Sequence, residues 1–405
     1  MYEEQLKYYK KFEKAIRQTG YRGPLVSSCW QAGSGLSHFL NLYADYDIGV
    51  IDRHNYFGGG TGHTLAPGKF ENQAMVSNIG SGLLSAGLQQ VNERPFAFSE
   101  WMSLIPNEWT AESSPIIAAY GLGLQGWDAS YVFATDIPHF SPIIQHPKGG
   151  IYNASSPTQL SLYPALARMI YRNDVSEGKT VLNRNVYLQT MKAGATWLHE
   201  EVNQDFDRKS VAGAFPLQLM AAGKVMLTFA QDSAIEIAGE FDDLWKDSTV
   251  VSNTGELTWS EKGKGYFTIN TPGTKGIIGF CQGRTFRLGE INLKTDNEFA
   301  VILVSALGKN EKISDGGKVL VTTISRARNT NMKYNDDHTE LIETGNAPVL
   351  LEPVKIELQF IGDKTPECTI LDHNGNKTTH KVKAQNGIFM LNGAETKTMY
   401  YLFEY

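Results

Sequence analysis

Apolar and polar positions change their period along this chain, and the changes divide it. Leu6, Tyr9, Phe12 and Ile16 recur every three or four residues among Lys and Glu, which predicts an amphipathic helix over 1–19 with Gly20 as its stop. After Gly23-Pro24 come a short apolar run at 25–30, a helical stretch around 36–45 and a second apolar run at 47–52. A Gly-rich loop at 58–62, a helix over 82–92 and a third strand at 95–99 lead to Glu100-Trp101. A helix over 112–120 and a fourth strand at 121–126 lead to Trp127-Asp128, and a last helix occupies 157–172. Short apolar strands alternating with helices predict βα units and a parallel sheet buried on both faces. Four such units are present, half of what a closed eightfold barrel requires. An open doubly wound sheet is the alternative; no Gly-rich fingerprint opens a helix after the first strand to support it.

From about 178 the pattern shifts. A strand is expected within 179–192, a mixed and partly helical region within 196–248, and a buried helix over 215–230. Beyond 249 there are many short strands, at 266–270, 276–280, 299–306, 318–325, 354–360, 377–383 and 399–404. Asn374-Gly375 and Gly316-Gly317 sit where two-residue hairpin turns need positive φ. The expected fold is therefore α/β plus all-β, with a partial barrel over 1–178, a mixed linker over 179–248 and a β-sandwich over 249–405.

Composition narrows the class. The 405 residues are 41% apolar and 20% charged with a net charge of −6, which argues against nucleic acid or an anionic membrane as the main partner. No uncharged apolar stretch resembles a signal peptide or a membrane span. The three cysteines, Cys29, Cys281 and Cys368, cannot form a disulfide framework and lack metal-finger spacing.

Reacting groups in parallel βα barrels project from the C-terminal strand ends. Those ends here carry Cys29-Trp30-Gln31, then Asp52-Arg53-His54-Asn55-Tyr56, then Glu100-Trp101, then Trp127-Asp128. Indole rings stack on sugar faces while acids, amides and Tyr hydroxyls bind sugar hydroxyls, so carbohydrate is favoured over phosphate. The stretch RPFAFSEW (94–101) resembles the seventh barrel strand of clan A glycoside hydrolases, whose nucleophilic Glu ends that strand. GLQGWDASYVF (123–133) is similar to their eighth strand with its sugar-stacking Trp, IDRHNYF (51–57) to the sixth, and PLVSSCW (24–30) to the fifth. The β-rich tail resembles the accessory sandwiches of bacterial polysaccharide-degrading enzymes related to families five and forty-two. The resemblance implies the C-terminal half of a (β/α)8 TIM barrel, a retaining hydrolase of β-linked glycans, and no cofactor or metal. It implies Glu100 as nucleophile, Tyr56 as its hydrogen-bond partner and Trp127 as stacking platform. Trp30, Gln31, Arg53, His54, Asn55, Trp101 and Asp128 follow as pocket candidates.

Retaining enzymes need a second carboxyl, about 5–5.5 Å from the nucleophile. In the family this is the Glu of an Asn-Glu pair ending the fourth strand, which on this alignment lies upstream of residue 1. The pair Asn107-Glu108 is expected to be a loop or helix entry, with Glu108 the first substitute acid to test, and Glu112 is expected in the first turn of the next helix. Arg53 is a possible structural partner for Glu100, and Arg326 and Arg328, flanking Ala327 in a strand-like stretch, read as same-face exposed charges or as a domain-interface ion pair. Trp197 and Trp259 read as core residues. Two other functions compete: a non-catalytic carbohydrate-binding or interaction protein, and a hydrolase built around a metal held by Asp52 and His54. The sequence specifies neither the glycan, the compartment nor the oligomeric state, although enzymes of this type are usually exported.

Overall fold

A computed structural model describes residues 2–29, 37–135, 139–194, 200–205, 208–213, 215–362 and 364–405. Helix α1 (Tyr2–Gln18) forms as the spacing predicts and ends at Gly20, whose φ is +92°. None of its residues is buried; Tyr8 and Phe12 stand more than half exposed. Helix α2 (Ser37–Ile48) buries Phe39 and Leu42 together with His38, Asn41 and Asp45. It packs over strand β1 (Ile51–Phe57). Parallel to β1 runs strand β2 (Phe96–Ser103), and parallel to β2 runs strand β3 (Ala129–Val132). A parallel bridge joins Val26 to Val50 on the other side, so the four apolar segments follow one another in space in chain order. The hairpin Glu201–Asp205 and Arg208–Ala212 extends the sheet beyond β1. Among the described residues this sheet is open, with β3 at one edge.

Two predicted elements take another form. The expected strand at 121–126 is the end of a helix that begins at Thr110 and widens into π geometry over Ile117–Leu124. Gln125 donates its N–H to the Tyr120 carbonyl, and Gly126, at φ +65°, ends the run. Glycine at 121 lets the helix lie against Trp127, because a Cβ there would come within 2.7 Å of the indole. The strand is instead β3, which starts two residues after Trp127. The expected buried helix over 215–230 is a single turn, Leu219–Ala222, followed by strand Lys224–Phe229, which pairs in parallel with Thr180–Val186. Backbone crowding at Gly223, where a Cβ would meet the Lys179 carbonyl at 2.6 Å, accompanies that switch.

The rest of the chain is antiparallel sheet. A ten-stranded sheet runs from Trp245–Lys246 to Lys377–Val382, and a four-stranded sheet is built from Thr285–Leu288, Ile291–Thr295, Lys355–Phe360 and Ile388–Asn392. Ile277, Ile302, Val321 and Phe403 of the large sheet share a core with Ile291, Leu293, Leu358 and Phe389 of the small one. The opposite face of the large sheet, with Trp259, Phe267, Val301 and Leu303, belongs to the core of the N-terminal part. Burial on both faces explains the unbroken apolar run Phe299–Ala306. Trp259 is fully buried and donates its indole N–H to the Val76 carbonyl, whereas Trp197 lies outside the described residues. A turn containing Asn374 and Gly375 joins Glu367–Leu371 to Lys377–Val382, but it spans 372–376 rather than two residues, with the Gly375 N–H bonded to the Asp372 carbonyl and only Gly375 at positive φ; the Gly316-Gly317 position ends a longer loop containing a 3-10 turn. Among the described residues, no helix is long and apolar enough to cross a membrane.

Candidate active site

Neighbouring strands in register point paired side chains to the same face, and one extra residue in one strand inverts that phase. Ile51 pairs with Phe96 and Arg53 with Phe98; past Ser99 the register shifts, and His54 pairs with Glu100 and Tyr56 with Met102. Ser99 is the extra residue. Before the bulge, Phe96 and Phe98 face the helices together with Ile51, and after it Trp101 faces them instead. Phe98 and Trp101 stack at 6.3 Å with planes 7° apart although three positions separate them. The same shift places Glu100 and Met102 on the opposite face, beside His54 and Tyr56. Glu100 is therefore not at the strand end, as expected from the sequence, but at a bulge within β2.

Asp52 holds the bulge. Its carboxylate accepts the Ser99 N–H at 3.1 Å and the Ser99 hydroxyl at 2.7 Å. The Tyr56 hydroxyl donates to Glu100 Oε1, and His54 Nδ1 lies 3.4 Å from Glu100 Oε2. His54 Nε2 contacts Ser99 Oγ at 3.0 Å. Ser99 has one hydroxyl proton and two claimants. The Glu100 side chain remains 26% exposed, enough to meet an external molecule. Tyr152 packs edge-on against Tyr56 at 5.0 Å and against Phe133 at 5.3 Å, and its hydroxyl meets His63 Nδ1 at 2.7 Å. This aromatic row runs from the partner of Glu100 to the exposed ring of Phe133, just past the C-terminal end of β3.

Half of the residues expected from the sequence do not join this cluster. Trp127, expected as stacking platform, is 3% exposed, precedes β3 and packs under Phe96 and Phe98. Asp128 accepts the Phe96 N–H at the start of β2, at the end of the strand away from Glu100. Trp101 is buried on the helix-covered face and donates to Ser130 Oγ. Arg53 is buried on that face too, paired with Asp45 at 3.0 Å and with Gln89, so it is no partner of Glu100. Asn55 pins the neighbouring hairpin by exchanging hydrogen bonds with the Lys209 backbone at 2.8 and 3.0 Å. Trp30 and Gln31 lie outside the described residues.

The carboxylates of the Glu108 and Glu112 region serve the framework. Glu108 sits in a loop, its side chain 2% exposed, gripped by Arg328, by His338 Nδ1 at 2.5 Å and by Asn72 at 3.0 Å. Burial pushes its pKa up, but the His338 hydrogen bond and the Arg328 charge outweigh it and hold the carboxyl below its usual range. It is thus the anchor for 326–338, and Arg326 and Arg328 both form ion pairs with it. The other Asn-Glu steps, Asn92-Glu93, Asn297-Glu298 and Asn310-Glu311, fall before β2 or in the β-rich tail. Glu112 does stand in the first turn of the helix that begins at Thr110, as expected, but its side chain is fully buried and accepts the Met75 and Val76 N–H groups, and burial raises its pKa to about 8.

Sequence reasoning missed Ser99, Tyr152 and Phe133. The aromatic phase slip, 96, 98, then 101, was a readable sign of the bulge. Tyr152 gave none, because a loop far along the chain delivers it. Surface grooves among the described residues lie elsewhere, one lined by Leu351, Lys397 and Met399, another by Tyr131, Ile170 and Tyr171. No family model, curated protein or solved structure matches this chain.

Proposed function

We propose that this protein is a retaining glycoside hydrolase acting on a β-linked glycan, with Glu100 as nucleophile and Tyr56 as the donor that orients it. The observation that carries the proposal is the Ser99 bulge, which turns Glu100 onto the face of Tyr56 while leaving its carboxylate reachable. The order of the parallel segments at 26, β1, β2 and β3 supports identifying them with strands five to eight of a (β/α)8 barrel, followed by a β-sandwich. On this assignment the stacking surface at the eighth strand is Phe133 with Tyr152, in place of Trp127.

In the reaction, Glu100 attacks the anomeric carbon while a general acid gives its proton to the departing glycosidic oxygen; water then breaks the glycosyl ester, returning a proton to that group and releasing Glu100. The Tyr56 hydroxyl holds one carboxylate oxygen and leaves the other to attack. Glu108 cannot protonate the leaving oxygen, because Arg328 and His338 keep it ionised and occupied. The test therefore uses fluoride and dinitrophenyl leaving groups, which depart without a proton. A panel of 2-deoxy-2-fluoro glycosyl fluorides should add one glycosyl unit to Glu100, seen by mass spectrometry of its peptide, and Glu100→Gln should remove the label. Glycan binding with no label from any sugar would overturn the hydrolase and favour the second reading, a carbohydrate-binding protein. The engagement of Glu108 is the observation that keeps that reading in play.

A further inference from the structure

Three metal-ligating side chains converge next to Glu100. One ligand atom each from Cys29, Asp52 and His54 lies within 4.8 Å of the others, with Asp52 buried and the other two half-buried. The fold accounts for the meeting. Asp52 and His54 alternate onto one face of β1, and the parallel bridge between Val26 and Val50 carries Cys29 alongside them. The contacts outside the trio are those that metal ligands use, except that His54 Nε2 also meets Ser99 Oγ at 3.0 Å and gives up that contact if it is the ligating nitrogen. A carboxylate is oriented by two donors, here the N–H and hydroxyl of Ser99, and an imidazole is braced by a carboxylate, here Glu100 at 3.4 Å.

We infer that Cys29, Asp52 and His54 form a three-ligand site for a zinc-class divalent cation. Sulfur, nitrogen and oxygen together suit zinc or cobalt, whereas magnesium and calcium take oxygen ligands and would not use the thiol. Three protein ligands to a four-coordinate ion leave one position for water or a substrate oxygen. Binding releases the Cys29 proton to solvent and forms a metal–sulfur bond, with no change of oxidation state. The site is independent of the glycosidase proposal and would stand if Glu100 attacked no sugar.

Cobalt(II) titration of the full chain tests it. One equivalent should bind and produce both tetrahedral ligand-field absorption and a thiolate-to-cobalt charge-transfer band. Cys29→Ser should abolish the charge-transfer band, and Asp52→Asn or His54→Ala should weaken binding by about 100-fold or more, beyond the 10–100-fold typical of losing an outer contact. Cys281 and Cys368 are buried in the core between the two antiparallel sheets and should contribute nothing to the band. If a variant fails to fold, a second readout remains: zinc should raise the melting temperature of the wild-type chain in a concentration-dependent way. No stoichiometric cobalt binding by folded wild-type protein, or a charge-transfer band that survives Cys29→Ser, overturns the proposal. Labelling of Glu100 by fluoroglycosides in chelator-treated protein reads the glycosidase separately, so either idea can fail alone.

Discussion

Removing Ser99 tests the bulge directly. Deleting the residue restores uninterrupted pairing of β1 with β2 and leaves Glu100 opposite His54 and Trp101 opposite Asn55; pairing Ser99 in the ladder with no residue deleted is what would invert everything after position 98. Trp101, 3% exposed and stacked on Phe98, would turn to the polar face, and Glu100 would turn beneath the helices. A Trp buries about 150–250 Å². At about 25 cal/mol per Å² that is about 4–6 kcal/mol of lost apolar burial. Burying the unpaired carboxylate adds several kcal/mol more. The total rivals the whole stability of an ordinary domain, about 5–15 kcal/mol. Ser99→Ala, by contrast, loses the hydroxyl donated to Asp52 but keeps the backbone N–H that Asp52 also accepts. A partly buried hydrogen bond to a charged group contributes about 1.5–3 kcal/mol, and the lower end applies here. Urea unfolding followed by Trp fluorescence, together with fluoroglycoside labelling, should show Ser99→Ala folded, weaker by about 1.5–2 kcal/mol and still labelled. The deletion should still unfold cooperatively and still be labelled, because Glu100 stays opposite His54 and Trp101 opposite Asn55. A deletion variant that exposes Trp101 and loses the label would refute the account of how the site is built.

Other consequences can be checked on the same samples. Glu108→Ala leaves Arg326 and Arg328 without their buried partner and should cost about 3 kcal/mol in urea, the low end for a broken buried pair because both arginines are partly exposed. The Glu108 pKa is depressed in the fold, so its contribution is present above the unfolded value near 4.3 and should fade as pH falls through the folded value. Glu112 has the opposite sign: with a folded pKa of about 8, its share of the stability should fall as pH rises from about 4.3 to about 8, and Glu112→Gln should flatten that slope in a melting series. Trp127→Ala should destabilise by about 3–5 kcal/mol and leave glycan affinity of the folded protein unchanged, while Phe133→Ala should do the reverse. A Trp127 variant that keeps its stability and loses glycan would restore the indole to the site.

What the sequence disclosed was set by how local its causes are. The helix over Tyr2–Gln18, the parallel run of β1 and β2, and the antiparallel strands of the tail follow from the spacing of apolar residues over a few positions. The π-widened helix through Gly121 and Gly123 was missed because its apolar run fits strand and helix equally, and the choice is made by Trp127 and Val175 packing onto the glycines. That error moved the expected strand end by several residues, which is why Trp127 was assigned to the site and Phe133 was not. Glu108 is the same lesson at longer range. Its neighbours in sequence read as a plain loop, and the residues that decide its role lie 220 and 230 positions away.

The placement of Glu100 rests on a balance that no single residue reveals. Alternation along FAFSEW points Glu100 with Phe96 and Phe98, toward the helices, and in that phase it could not meet Tyr56. Asp52 reverses the outcome by accepting the one N–H that the bulge leaves unpaired in the ladder, so the orphaned donor is satisfied and Trp101 takes the apolar position. Aromatic burial on one face and a carboxylate on the other therefore favour the same one-residue slip. Asp52→Ala should weaken both at once, since the bulge loses its acceptor and the cluster loses the group that holds Ser99 against His54. Because Asp52 touches Glu100 only through these neighbours, the Tyr56 donor should survive the change, and slow labelling of Glu100 at reduced stability is the expected result. Labelling at the wild-type rate and unchanged stability would show that Trp101 alone fixes the register.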